Sequence, residues 1–263
     1  MEDDNTIKIW WAGGHKSFNY GDALGPYLVE KISGKKPVLT PKTGNGKVHL
    51  VIGSIINSAG TTPNCIVWGC GVIHSAHTAQ KGATFHAVRG PYTRKSLLRT
   101  GHQCPEVYGD PALLLPRYYQ PKVEKEYELG IIPHYVDYDR VKNEVTDKSI
   151  NVIDFRHPDI EATTDEIFKC KRIISSSLHG IIVSQSYDIP AVWVMLSNKL
   201  TGDGVKFYDY FASVRIPQYK PLDLTKNLIP DKQELINFVD NNKHISNITF
   251  FDGDKLLNAC PFK

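Results

Sequence analysis

The chain has 263 residues, 41% of them hydrophobic and 22% charged, which excludes a disordered or low-complexity protein and suits one large domain or two of medium size. Thirty-one Lys and Arg against 28 Asp and Glu leave a net charge of +3, too little for bulk electrostatics to mark a nucleic-acid binder. Met1-Glu2-Asp3-Asp4 offers no basic start to an export leader, and the longest apolar run, Ala191 to Leu196, is far shorter than the ~20 residues that cross a bilayer. A cytoplasmic protein is expected. Its five cysteines lack CxxC spacing and read as reduced thiols.

In chain order, Ile7 to Trp11 is an apolar run that stops at Ala12-Gly13-Gly14, the pattern of a buried strand ending in a loop. From Asp22 onward, Leu24, Tyr27, Leu28 and Ile32 recur at three- and four-residue steps and Gly34 follows, which predicts an amphipathic helix. Gly44-Asn45-Gly46-Lys47 reads as a turn and not as a phosphate loop, because Pro41 stands where the first glycine is needed. Val48 to Ile52, Ile66 to Trp68 and Phe85 to Val88 each run into a glycine-bearing turn and are predicted strands. Pro91 opens a helix through Leu98 that Gly101 ends.

Arg117 to Glu128 is polar, rich in tyrosine and carries Pro121, so a domain boundary is placed there. The pattern then restarts with strands at Leu129 to Ile132 and Asn151 to Phe155 and a helix from Thr163 to Arg172. A strand at Arg172 to Ile174 leads into Ser175-Ser176-Ser177, a helix runs from His179 to Tyr187, and Ala191 to Leu196 is another buried strand. Asp231 and Glu234 stand in capping-box spacing before Leu235, Phe238 and Val239, which predicts a helical tail. Strands alternating with helices argue for parallel sheets joined by right-handed crossovers. The fold class expected is therefore α/β, with one domain over residues 1–120, a second over 121–263, and a cleft between them.

Open parallel sheets bind ligands at the carboxyl ends of their strands, where helix N-termini aim N–H groups at the crevice. Polar residues at those positions are Asn19, Tyr20 and Asp22 after the first strand, Ser54, and Arg89 between a strand and a proline-led helix. In the second half they are Ser175, Ser176, Ser177 and His179, then Lys199 and Lys206. Arg89 reads either as a salt-bridging arginine or as a fork for a carboxylate or phosphate. Asp22 reads as a helix-start residue or a base, the serines as a helix cap or an anion cradle, and His179 as a structural or a proton-handling imidazole. His74, His77 and His86 lack carboxylate or thiolate support, so no metal is expected.

Taken together, Asn19-Tyr20-Gly21-Asp22-Ala23-Leu24, Val88-Arg89-Gly90-Pro91, Tyr108-Gly109-Asp110-Pro111-Ala112, Ile131-Ile132-Pro133-His134-Tyr135 and Ser175-Ser176-Ser177-Leu178-His179-Gly180 resemble the polysaccharide pyruvyl transferase family. The matches follow the family order from Ile7 to about Phe211; each motif is short, and their combination is specific. Gly53-Ser54 stands where a longer glycine run is usual. The resemblance implies two Rossmann-like halves in the glycosyltransferase-B arrangement, the first on the acceptor side and carrying Arg89, the second on the donor side. It implies phosphoenolpyruvate as donor and a sugar acceptor, free or lipid-linked at the inner membrane surface, with two hydroxyls bridged by a pyruvate ketal. No cofactor is implied.

Carried over by position, Arg89, Ser175, Ser176, Ser177, His179 and one of Lys199 and Lys206 form the donor set, and Asn19, Tyr20 and Ser54 the acceptor set. His179 is the candidate for proton handling or phosphate neutralisation, and Asp22 the candidate base for an acceptor hydroxyl. The competing readings are a glycosyltransferase using a nucleotide sugar in the same cleft and a sugar- or anion-binding protein without turnover.

Overall fold

The computed structural model describes residues 5–14, 18–44, 46–226 and 231–263. Met1 to Asp4, read above for a leader, and Asn45 of the expected turn lie outside them. The first half runs β1 (Thr6–Ile9), α1 (Tyr20–Ser33), β2 (Lys36–Leu39), β3 (Val48–Leu50), β4 (Cys65–Trp68), β5 (Thr84–Ala87) and α2 (Pro91–Arg99), followed by a 3₁₀ segment, Pro111–Arg117. The second half runs β6 (Leu129–Ile132), α3 (Tyr138–Glu144), β7 (Ile150–Val152), α4 (Ile160–Phe168), β8 (Ile173–Ser175), α5 (Leu178–Ser186), β9 (Ala191–Met195), α6 (Val205–Ser213) and β10 (Leu222–Asp223). Three short helices close the chain: α7 (Lys232–Asn241), α8 (Lys243–Ser246) and α9 (Gly253–Asn258).

Two five-stranded sheets result, ordered β2-β1-β3-β4-β5 and β10-β9-β8-β6-β7, with every pairing parallel. Numbered within its own half, each sheet has the order 2-1-3-4-5, one of the doubly wound arrangements, so the loose doubling of the sequence is a repeat of topology. Such a sheet reverses its winding between its first and third strands, and the crevice at their carboxyl ends is where ligands bind. Those switch points lie between β1 and β3 in the first sheet and between β6 and β8 in the second.

One apolar core continues from β1 and α1 through the Ala112–Leu115 run to β6, β8, β9 and α5, so the halves are packed together. Tyr20 belongs to that packing: it is fully buried, its ring lies 4.6 Å from that of Phe155, and its hydroxyl sits 2.8 Å from Thr164 Oγ1. The tail crosses back to the first sheet, where Trp68 Nε1–H donates to the Leu256 carbonyl and Phe262 packs edge-on against Trp68. All five cysteines are unpaired, four of them buried. No helix among the described residues is long and apolar enough to cross a membrane.

Candidate active site

Helix α1 begins where β1 has ended, and Asn19 caps it by accepting the Gly21 N–H at 3.1 Å. That cap sets Asp22 in the first turn, where the helix dipole favours a negative charge. Gly21 is helical with φ outside the left-handed region, so its lack of a side chain serves space and not backbone freedom. A Cβ there would fall 2.0 Å from His179 Nδ1. The imidazole from the second half thus rests on the α1 backbone beside Asp22. We expect Gly21→Ala to keep the fold, since alanine favours a helix, while displacing His179 and lowering turnover by ~10²-fold. Thermal unfolding and kcat measured on the same sample check both halves of that expectation.

Arg89 follows β5 and is fully buried. Its Nε–H donates to Asp209 Oδ2 at 3.1 Å, Nη1 to Ser54 Oγ at 2.7 Å and Nη2 to the Val72 carbonyl at 2.8 Å. Asp209, itself fully buried on α6, also accepts the Thr93 N–H at 2.9 Å and the Thr93 hydroxyl at 2.6 Å. Gly90, the cap position of α2, has no side chain, and Asp209 supplies the missing cap from the other half of the chain. Two glycines make room for this knot: a Cβ on Gly71 would lie 2.5 Å from Arg89 Nη2, and one on Gly90 2.0 Å from the Asp209 carbonyl oxygen. All three nitrogens of the expected ligand fork therefore meet protein groups, Nε alone facing the Asp209 carboxylate.

Helix α6 carries Lys206 one turn before Asp209, so both address the first half. Lys206 feels Arg89 and Asp22, whereas Lys199 is exposed on the loop after β9. Burial and the Arg89 charge push the Lys206 ammonium down to about 8, with Asp22 opposing. Burial pushes the Asp22 carboxyl up to about 6, with His179 and Lys206 opposing. Just past β6, burial and then Lys206 push His134 down to about 4 while Asp137 holds it up, so this imidazole is neutral at pH 7.

Two of the three serines of the expected anion cradle, Ser175 and Ser176, are engaged by the backbone. The Ser175 hydroxyl lies 2.8 Å from the Ile132 carbonyl and 2.9 Å from that of Ser177, and it accepts the Ser177 N–H. Ser176 Oγ accepts the His134 N–H at 2.9 Å. Both hydroxyls satisfy backbone groups where the ladder stops. No side chain caps α5, so its first turn keeps N–H groups for a ligand. Of the expected acceptor set, Tyr20 is fully buried in the core, and the half-buried Ser54 accepts from Arg89 Nη1.

Two cavities flank these groups. One of about 230 Å³ is lined by Trp11, Phe18, Asn19, Asp22 and Pro26, and one of about 210 Å³ by Trp193, Asn198, Thr201, Lys206 and Phe207. A wider depression of about 800 Å³ between Lys81–Phe85 and Gly101–Pro105 holds none of them and lies at the amino end of β5, the wrong end for a doubly wound sheet. Sequence reasoning passed over Asp209, Asp110 and His134. The last two stand inside motifs quoted above, while nothing local marks Asp209.

Among the described residues, no group of three or more His, Cys, Asp or Glu is arranged to hold a metal ion. The family model for polysaccharide pyruvyl transferase matches residues 46–198, which include Arg89, Asp110, His134 and His179. An uncharacterized protein of Acanthamoeba polyphaga mimivirus is 35% identical over 216 residues, covering 78% of this chain and 75% of that protein. No solved structure matches the chain.

Proposed function

The chain belongs to the polysaccharide pyruvyl transferase family, and on that premise we propose that it moves the pyruvyl group of phosphoenolpyruvate onto two hydroxyls of a sugar. The two sheets are then read as Rossmann-like halves, residues 1–120 and 121–263, in the glycosyltransferase-B arrangement, with both switch points opening on the site. The observation that carries the reading is the meeting of Asp22, His179 and Lys206 there, an acid–base pair with proton affinities on either side of neutrality beside an uncapped helix N-terminus.

The donor's phosphate is assigned to the first turn of α5 and His179, with Lys206 facing it as the mobile cation. Arg89, fixed by Asp209, acts from behind by weakening the hold of Lys206 on its proton. The acceptor is assigned to the cavity at Trp11 and Phe18, where aromatic faces suit the C–H face of a pyranose and Asn19 and Asp22 suit its hydroxyls. Asp22 takes the proton of the first hydroxyl as its oxygen attacks C2, while Lys206 gives a proton to C3, which becomes the methyl group. The C2–O bond to phosphate then breaks, phosphate leaves with the electron pair, and the second hydroxyl closes the ketal as it passes its proton to the Lys206 amine. Binding to a lipid-linked acceptor at a membrane surface is compatible with this scheme and is part of the proposal.

The test is incubation of the protein with phosphoenolpyruvate and candidate oligosaccharides, read by mass spectrometry for the added pyruvyl mass and by phosphate release. Ketal formation with equimolar phosphate supports the reading. Transfer of a sugar from a nucleotide sugar, with none from phosphoenolpyruvate, would replace it.

A pH dependence follows. The profile of kcat/KM is expected to rise as Asp22 loses its proton near 6 and to fall as Lys206 loses its own near 8. Each charge holds the other in place, so Asp22→Asn moves the alkaline limb of any residual activity to lower pH, and Lys206→Met moves the acid limb higher. Flat profiles between pH 5 and 9 count against the assignment.

A further inference from the structure

Asp110 Oδ2 and His179 Nε2 are both shielded from solvent, lack a hydrogen-bond partner among the described residues, and lie 3.6 Å apart. Asp110 is fully buried, and its other oxygen accepts the Ala112 N–H at 3.1 Å to cap the 3₁₀ segment. Capping requires one oxygen and no charge, so asparagine or serine would serve as well. The second oxygen therefore has no part in the cap, and a buried carboxylate oxygen left without a partner is destabilising.

The other titratable groups around Asp110 are committed elsewhere. The Cys70 thiol is directed at the Leu50 carbonyl, and the Tyr210 hydroxyl donates to Gln185 Oε1. His179 in turn faces Asp110 at one nitrogen and, at the other, the start of α1 with Gly21 and the Asp22 charge. Its ring comes from the second half, yet the groups at both of its nitrogens belong to the first.

We propose that Asp110 is a positioning residue for His179, its Oδ2 accepting the Nε2 proton of the imidazole in the substrate complex and so fixing the ring's tautomer and orientation. Nδ1, at the Asp22 end of the ring, is then the nitrogen presented to the reacting groups. A contraction from 3.6 Å to ~2.8 Å makes the bond charge-assisted. Tightening of this kind is common when an unliganded site takes up its substrate. The inference rests on the reading of His179 as part of the pyruvyl transfer site.

The experiment compares Asp110→Asn, His179→Gln and the double variant in the full chain, assayed with phosphoenolpyruvate and an oligosaccharide acceptor. Asp110→Asn keeps an oxygen for the Ala112 cap and is expected to lower kcat at least ~10-fold with little change in KM for phosphoenolpyruvate. Combined with His179→Gln, it is expected to add almost nothing, because residues acting as a unit are not additive. Nitrogen-15 spectra of the histidine-labelled unsubstituted protein with phosphoenolpyruvate bound are expected to show a proton on His179 Nε2, a readout that needs no variant to fold. An Asp110→Asn protein with unchanged kcat, full multiplication of the two losses, or an unprotonated Nε2 would each overturn the proposal. Unimpaired turnover in His179→Gln would instead overturn the reading of the site on which it rests.

Discussion

Replacing Asp22 by asparagine is expected to remove most of the turnover and to make the fold more stable. Both effects have one source, a carboxyl pushed up from 3.8 to about 6 chiefly by burial. A shift of that size corresponds to about 3 kcal/mol of destabilisation when the group is fully ionised. The sign is set by proton binding: between the unfolded and folded values the native state holds the proton more tightly, so stability falls as pH rises through that window. At pH 7 the unsubstituted protein bears the full penalty, and Asp22→Asn relieves it. At pH 4 most of the advantage is gone, and below about pH 3 the carboxyl is protonated in both states and it vanishes. Turnover should drop by ~10²- to 10⁴-fold, the scale of a lost general base. Urea unfolding at pH 7 and pH 4, alongside kcat at pH 7, reads the prediction. A variant less stable than the parent at pH 7, or one that turns over normally, would show Asp22 to be a helix-start residue and nothing more.

Most of the strands were legible because they are short apolar runs, several of them stopped by glycine or serine, and parallel strands buried on both faces leave that trace. Strand β2 left none: Lys36-Pro37-Val38-Leu39 has no fully buried residue and carries a proline, as an edge strand tolerates. Helix α4 starts at Ile160 rather than Thr163 because Asp159 caps it by accepting the Ala162 N–H. Asp22, Arg89 and His179 could be singled out by position alone, since strand ends are where a doubly wound fold gathers polar groups. What each side chain faces was not legible. The choice between Lys199 and Lys206 turns on helix phase against the first half, and the hydroxyls of Ser175 and Ser176 are claimed by nearby carbonyl and N–H groups. The Asp110–His179 approach joins residues from different halves, a pairing no local pattern encodes.

Arg89 is the residue for which position and environment point to different outcomes. A ligand fork at a strand end would make Arg89→Ala a folded protein with poor affinity for phosphoenolpyruvate. The structure instead shows a guanidinium with no exposed surface, paired with a carboxylate that has none either, 120 residues further along the chain. Removing the arginine leaves Asp209 charged and buried beside the Thr93 N–H and hydroxyl, which cannot replace a full positive charge. Breaking a buried pair from one side typically destabilises by ~3–5 kcal/mol. That is a large share of the ~5–15 kcal/mol that holds a native protein together. The loss should appear as a lower urea midpoint and as weaker docking of α2 against α6. The charge behind Lys206 disappears as well, so in whatever fraction stays folded the alkaline limb of the pH profile should move upward. Arg89→Met with Asp209→Asn separates the two explanations. It removes both charges while leaving an amide to cap α2, and it should recover much of the stability lost in Arg89→Ala. If Arg89→Ala unfolds at the parental urea concentration and loses only donor affinity, measured by calorimetry, the arginine belongs to the ligand and the Asp209 pair is incidental.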